Sequence, residues 1–161
     1  MLKKISILTL IVLSLNSCGV GLIVRGATKK NLSVEKNTVP PTYIRKDQTL
    51  IVGLWGVESY DKYVKKAFNK FYKGKKEFVY LGKLRTNEKY EDKDTYPFVF
   101  SQGPENIKLY KDENFSFTFT GGRPFHIFDR NTEKFYMLPF HSGYFGRVIQ
   151  GYAMKLNAFI K

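Results

Sequence analysis

The clearest pattern of apolar and polar positions in the chain predicts an amphipathic helix between residues 59 and 74. Apolar residues recur there at steps of three and one, which places them on one face of a helix. They are Tyr60, Tyr63, Val64, Ala67, Phe68, Phe71 and Tyr72. Ser59 is the predicted N-cap, and Gly74 is expected to end the helix in a left-handed conformation.

Short apolar runs before and after this helix predict two strands. Residues 49–55 are typical of a strand that is buried on both faces, and residues 77–81 form a second apolar run. A strand, a helix and a strand within about 30 residues predict a βαβ unit, with parallel strands and a right-handed crossover. Residues 83–96 are strongly polar and are expected to form an exposed loop.

The C-terminal half predicts short antiparallel strands followed by a helix. The strand candidates are residues 97–101, 107–110, 115–120, 125–129 and 134–138, and the helix spans residues 145–160. The predicted fold class is therefore α/β, or α+β mixed, with one βαβ unit, an antiparallel meander and a C-terminal helix on one sheet. This order is similar to a thioredoxin-like topology, but the Cys-x-x-Cys motif and a middle helix are missing, so any such relationship would be non-redox.

The N-terminal residues 1–17 have the pattern of a secretory signal peptide. Lys3 and Lys4 precede residues 5–15, an apolar stretch of 11 residues that is too short to cross a membrane. Cys18, the only cysteine, follows in the run Leu-Asn-Ser-Cys-Gly. This run resembles the lipobox of bacterial lipoproteins, in which a leucine and small residues precede the modified cysteine.

The resemblance implies that Cys18 becomes the first residue of a mature lipoprotein, carrying diacylglycerol on sulfur and a fatty acid such as palmitate on its amine. The expected partner is then the membrane. Gly19 after the cysteine implies the outer membrane, with the protein facing the periplasm. The alternative is an uncleaved signal anchor over residues 5–24, and both interpretations attach the domain outside the cytosol.

These features divide the chain into a signal peptide at 1–17, a lipidated N-terminus with a mostly extended tether at 18–48, and a single α/β domain at 49–161. The tether is predicted because residues 19–48 lack a sustained period and contain polar clusters and a Pro-Pro pair. With one cysteine, no intramolecular disulfide can stabilise the domain.

The positive charge favours anionic partners. Removing the 17 signal residues, with their two lysines, lowers the formal charge from +13 to +11. Anionic lipid, an anionic glycan or an envelope protein is a suitable partner, whereas the envelope location argues against nucleic acid. A lysine-rich source genome explains the charge equally well. The candidate anion-binding residues are Lys62, Lys65, Lys66, Lys70 and Lys73 on the first helix, and Arg123 in a predicted turn; an ordinary solvated face and a plain hairpin are the alternatives.

Reactive groups are sparse in the sequence. His126, His141 and Asp129 are the candidates for acid/base or metal chemistry, but their spacing does not match a catalytic zinc site. Residues 53–56, between a strand and a helix N-terminus, have amides suited to an anion, although a tight turn explains these glycines without a ligand. We predict no catalytic residue, metal or cofactor.

The leading hypothesis from the sequence is a membrane-anchored, non-catalytic binding or assembly module. A small periplasm-facing enzyme that uses His126, His141, Asp129 and Arg123 is one alternative, and it requires these groups to converge in one pocket. A basic module that binds anionic lipid or glycan through the lysines is the other.

Overall fold

A mixed sheet of five strands organises the computed structural model, which describes residues 19–43, 47–103 and 124–160. The strands are β1 (Leu50–Leu54), β2 (Lys76–Tyr80), β3 (Phe98–Gln102), β4 (Phe125–Asp129) and β5 (Lys134–Met137). Within these ranges the helices are α1 (residues 19–31), α2 (Glu58–Phe71) and α3 (Phe145–Asn157). The strand order is β2-β1-β3-β4-β5.

The predicted βαβ unit is confirmed. β1 pairs in parallel with β2, Leu50 lying opposite Lys76, and α2 connects the two strands. The α/β class and the C-terminal helix on the sheet are confirmed as well. β3 differs from the expected meander, because it is parallel to β1 and antiparallel to β4. Both β1 and β3 are buried along their whole length, which suits strands in the middle of a sheet.

The sheet separates two apolar layers. Alternate residues of each strand face the helices, as Leu50, Val52 and Leu54 do in β1. The other face of the sheet carries a smaller cluster that includes Ile51 of β1 and Tyr90 from the β2–β3 connection.

The β2–β3 connection is largely exposed, as its polarity predicts, but it is also anchored to the sheet. It contains two short 3-10 helices, Leu81–Lys83 and Glu88–Glu91, and Tyr90 is buried. The Tyr90 hydroxyl donates to Glu77 Oε1 of β2 over 2.6 Å. Arg130, after β4, donates to the backbone oxygens of Tyr90 and Tyr96. The sequence did not predict these anchoring contacts, because the partners are distant in sequence.

The predicted caps of α2 are also wrong. The N-cap is Val57 and not Ser59, and the helix ends at Phe71 with Tyr72 as an extended C-cap. Gly74 does not have a positive φ. It lies close to other side chains instead, because a Cβ there would lie 2.5 Å from Ile160 Cδ1 and 2.8 Å from the Tyr72 hydroxyl, so that these side-chain ends would have to shift.

The prediction of a mostly extended tether is wrong for residues 19–43. Residues 19–31 form α1, and Leu32, Val39 and Tyr43 are buried in the same core as the helices and the sheet. Gly151 of α3 brings α1 close, because a Cβ at that glycine would lie 2.6 Å from Thr28 Cβ. The sequence did not predict α1, because apolar residues lie on its outward side as well near the N-terminus and no one-sided apolar pattern results.

Several predictions concern parts of the chain outside the described residues. They are the signal peptide, Cys18, the strands at 107–110 and 115–120, and the turn that contains Arg123.

Candidate functional site

The catalytic candidates that lie in the described part of the chain, His126, His141 and Asp129, do not form one site. His126 and Asp129 both belong to β4, but they are three positions apart in the strand, so their side chains lie on opposite faces of the sheet. His126 lies on the side of the smaller cluster, 5.0 Å from the ring of Phe135. Asp129 shapes the β4–β5 turn, since its Oδ1 accepts hydrogen bonds from Asn131 N and Thr132 N.

The two histidines differ in environment. His126 is fully buried, and burial lowers its pKa from the ordinary 6.5 to about 4, so the ring is neutral at pH 7. His141 is exposed between β5 and α3. In the described part of the chain, no three His, Cys, Asp or Glu side chains are grouped to hold a metal ion.

The loop between β1 and α2 is occupied by a carboxylate of the protein itself. Trp55 N and Gly56 N each donate over 3.0 Å to the buried side chain of Asp61. Gly56 has a φ of +79°, a conformation that glycine adopts without strain. These two amides are therefore engaged in the turn, and this favours the structural explanation of residues 53–56 over an external anion.

The predicted lysine face of α2 is divided between two surface clefts. Lys62, Lys65, Lys66, Lys70 and Lys73 are all exposed, as predicted. Lys73, however, follows the helix end, and its backbone N–H donates to Asn157 Oδ1 of α3 over 2.7 Å. A cleft of about 510 Å³ contains Lys62 and Lys65, but Glu58 and Asp61 also line it, so that its charge is mixed.

The second cleft, which we call the basic cleft, lies between α2 and the start of α3. It has a volume of about 530 Å³. Its lining residues are Tyr63, Lys66 and Lys70 from α2, residues 143–146, Arg147 and Gln150. Three cations therefore line one cleft in which no lining residue is acidic. In the described ranges, the only ion pair joins Lys89 to Glu77, so Lys66, Lys70 and Arg147 have no carboxylate partner there.

The packing of the two helices shapes the basic cleft. Gly146 of α3 allows the Tyr63 ring to approach, because a Cβ there would lie 3.0 Å from Tyr63 Cδ1. Tyr63 meets Phe145 edge to face with ring centroids 5.2 Å apart. Tyr63 and Tyr144 are each about half exposed, and Arg147 donates to Gln150 Oε1 over 3.2 Å.

The first turn of α3 adds positive potential to the basic cleft. The helix has no acidic residue in that turn and no side-chain cap at Tyr144. Its N-terminal end therefore adds its partial positive charge to that of the three cations. The combination can bind an anionic group, whereas no lining side chain is a cysteine, serine or histidine that would act as a nucleophile or base.

The basic cleft also borders the N-terminal turn of α1. A Cβ added at Gly21 would lie 3.1 Å from Nε of Arg147. Gly21 follows Cys18 by three residues in the sequence, so Arg147 lies next to a residue that is close to the cysteine along the chain. Sequence analysis identified Lys66 and Lys70 but missed Arg147, because its proximity to them depends on the packing of α3 against α2.

No protein-family model, curated protein or solved structure matches the chain. The β2–β3 connection, which is fully described, contains only the two 3-10 helices and so lacks the middle α-helix of a thioredoxin-like topology. Among the described helices, none combines the length and hydropathy needed to cross a bilayer.

Proposed function

We propose that the protein is a lipoprotein of the cell envelope that acts as a non-catalytic binding module, anchored in the outer membrane through Cys18 and facing the periplasm. The observation that carries the binding function is the basic cleft, with three cations and no acidic lining residue. The anchor is supported by the signal-like residues 1–17 and by the single cysteine that follows them.

The ligand class follows from the chemistry of the basic cleft. Lys66, Lys70 and Arg147 suit phosphate or carboxylate groups, and Arg147 can donate two parallel hydrogen bonds to either. Tyr63 and Tyr144 present half-exposed rings beside these cations, which offer an apolar surface with a polar tip. Adjacent rings and cations favour a glycan that carries acidic groups, because a sugar ring stacks on an aromatic face while its acidic group reaches a cation.

The alternative of a small enzyme is not supported by an observation comparable to the basic cleft. His126 and Asp129 lie on opposite sides of β4, and His126 is buried while His141 is exposed. The binding module is therefore the function that we propose.

The anchor is tested by metabolic labelling of the full chain with a fatty-acid analogue. The Cys18→Ser variant should lose the label completely, because the lipid is attached to the cysteine sulfur and amine. Ser17→Ala, which keeps a small residue before the cysteine, is the matched control and should retain the label. Labelling that persists in Cys18→Ser would refute the anchor.

The basic cleft is tested by charge reversal on the two sides of α2. The double variant K66E/K70E should weaken binding of alginate, a carboxylated glycan, by about tenfold or more, because each reversal replaces attraction with repulsion. K62E/K65E makes the same change in net charge on the same helix and should have a much smaller effect. Dextran, which is neutral, should not bind. Titration calorimetry on the full-length protein in detergent measures all three, and equal losses in both variants would contradict a specific cleft.

A further inference from the structure

The first turns of α1 present aliphatic side chains to the outside of the molecule. Val20 is 42% exposed, Leu22 48% and Ile23 71%. The opposite side of the helix is buried against the protein at Gly21 and Thr28. The three exposed residues, which we call the α1 patch, therefore form an apolar surface that no described part of the chain covers.

The outward side of α1 changes from apolar to basic along its length. Lys29 and Lys30 are exposed near its C-terminal end. At a rise of 1.5 Å per residue, Lys30 lies about 10 Å beyond Ile23 along the axis. The apolar end is the one next to Cys18. This polarity fits a membrane interface, in which aliphatic residues enter the acyl boundary and lysines remain at the headgroups.

The position of the α1 patch next to Cys18 indicates that membrane lipid is what the patch contacts. Ile23 is five residues from Cys18, which limits their Cα separation to about 17 Å even in an extended chain. An acylated Cys18 is held at the level of the lipid glycerol, so the α1 patch is held near the same surface. A protein partner would have to displace lipid that the anchor already brings there.

We infer that the α1 patch docks into the headgroup and upper acyl region of the same leaflet that holds the acyl chains of Cys18, so that the folded domain rests on the membrane instead of standing away from it. This inference rests on the proposed acylation of Cys18. It also places the basic cleft close to the lipid surface, because Arg147 borders Gly21.

The test uses the full-length protein, processed in cells and reconstituted in phosphatidylethanolamine and phosphatidylglycerol vesicles whose acyl chains carry bromine. An Ile23→Cys variant is labelled with bimane, a fluorophore that bromine quenches. A Lys93→Cys variant is the matched control, because Lys93 is exposed on the connection that covers the other face of the sheet. The intact mass of each sample reports whether Cys18 is acylated.

The expected result is that brominated lipid quenches bimane at residue 23 by about half or more, while it leaves residue 93 nearly unchanged, in protein that carries acyl chains. Equally weak quenching at both positions in acylated protein would overturn docking of the α1 patch and leave the anchor intact. Protection of residue 23 from both brominated lipid and aqueous iodide would show that the patch is covered by protein, from this chain or from a second copy of it, and would also overturn the inference. A mass without acyl chains would refute the anchor itself and, with it, this inference.

Discussion

Burial determines the chemistry of His126. Its pKa is lowered from 6.5 to about 4 because the protonated ring is poorly solvated inside the sheet. Between these two pH values the unfolded chain binds a proton that the folded protein does not. The free energy of unfolding therefore falls as the pH decreases through this window.

We predict that His126→Gln removes much of this pH dependence. A pKa lowered from 6.5 to about 4 corresponds to about 3 kcal/mol of stability that the wild type loses between pH 7 and pH 4. Glutamine keeps a polar side chain but does not titrate, so the variant should lose about 3 kcal/mol less over the same range. Urea unfolding at pH 7, 5.5 and 4 measures the difference, and parallel pH profiles would contradict the assignment.

At Glu77, which is partly exposed, hydrogen bonds together have a larger effect on the pKa than burial has. Burial alone would raise its pKa, but hydrogen bonds from Lys89, Tyr90 and Tyr96 outweigh that effect and lower the pKa below its ordinary value of 4.5. Lys89 Nζ lies 2.8 Å from Glu77 Oε1. The carboxylate thus attaches the β2–β3 connection to the edge of the sheet.

We predict that Glu77→Gln destabilises the protein by about 1 kcal/mol at pH 7, because the charged hydrogen bonds are replaced by neutral ones. The folded-state pKa is depressed, so this stabilisation exists above the unfolded pKa and is lost as the pH falls through the folded pKa. The difference between wild type and variant should therefore shrink below about pH 4.5. Glu88→Gln, an exposed change in the same connection, is the control and should have little effect at either pH.

At the scale of elements, the contact between α1 and α3 depends on the missing side chain of Gly151. A Cβ there would lie 2.6 Å from Thr28 Cβ, 2.8 Å from Thr28 Cγ2 and 3.0 Å from the backbone oxygen of Arg25. Backbone cannot move aside as the end of a flexible side chain can. The helix therefore carries a glycine in its interior despite the poor helix propensity of that residue.

We predict that Gly151→Ala destabilises the protein by about 1–3 kcal/mol, because overpacking outweighs the gain in helix propensity. Gly26→Ala in α1 is the matched control, since an added Cβ there meets nothing within 4 Å. It should stabilise the protein by up to about 1 kcal/mol. Thermal unfolding of both variants distinguishes the effects, and stabilisation by Gly151→Ala would show that α1 does not pack in this way.

At the scale of the whole molecule, residues 19–43 belong to the folded core. Leu32 and Val39 are completely buried, and Tyr43 packs against Phe98 of β3 with ring centroids 5.3 Å apart. The sequence-based domain boundary at residue 49 separates these side chains from the core that they share. Residues 19–43 therefore contribute to the stability of the domain.

We predict that Leu32→Ala costs about 2–4 kcal/mol of unfolding free energy, as for other large-to-small changes in a core. Val34→Ala, two residues further along, is the matched control because Val34 is exposed; it should change stability by less than about 0.5 kcal/mol. Chemical denaturation measures both. Similar, small effects of the two substitutions would indicate that this segment does not contribute to the core.

The basic cleft was predictable only in part. Lys66 and Lys70 follow from the polar side of α2, which the apolar period defines. The separation of Lys62 and Lys65 into another cleft depends on the side chains opposite each face of α2. Arg147 joins Lys66 because α3 packs on α2, and no local pattern contains that information.

The sequence by itself determined the elements whose patterns are local: the βαβ unit, strands β4 and β5, and helix α3. Their periods specify which face is apolar, and burial of that face is the dominant favourable term in folding. Tertiary structure alone decided the parallel pairing of β3, the burial of His126, the docking of α1 and the lining of the basic cleft. Each of these depends on which apolar face meets which partner, and that choice is made by packing between residues far apart in the chain.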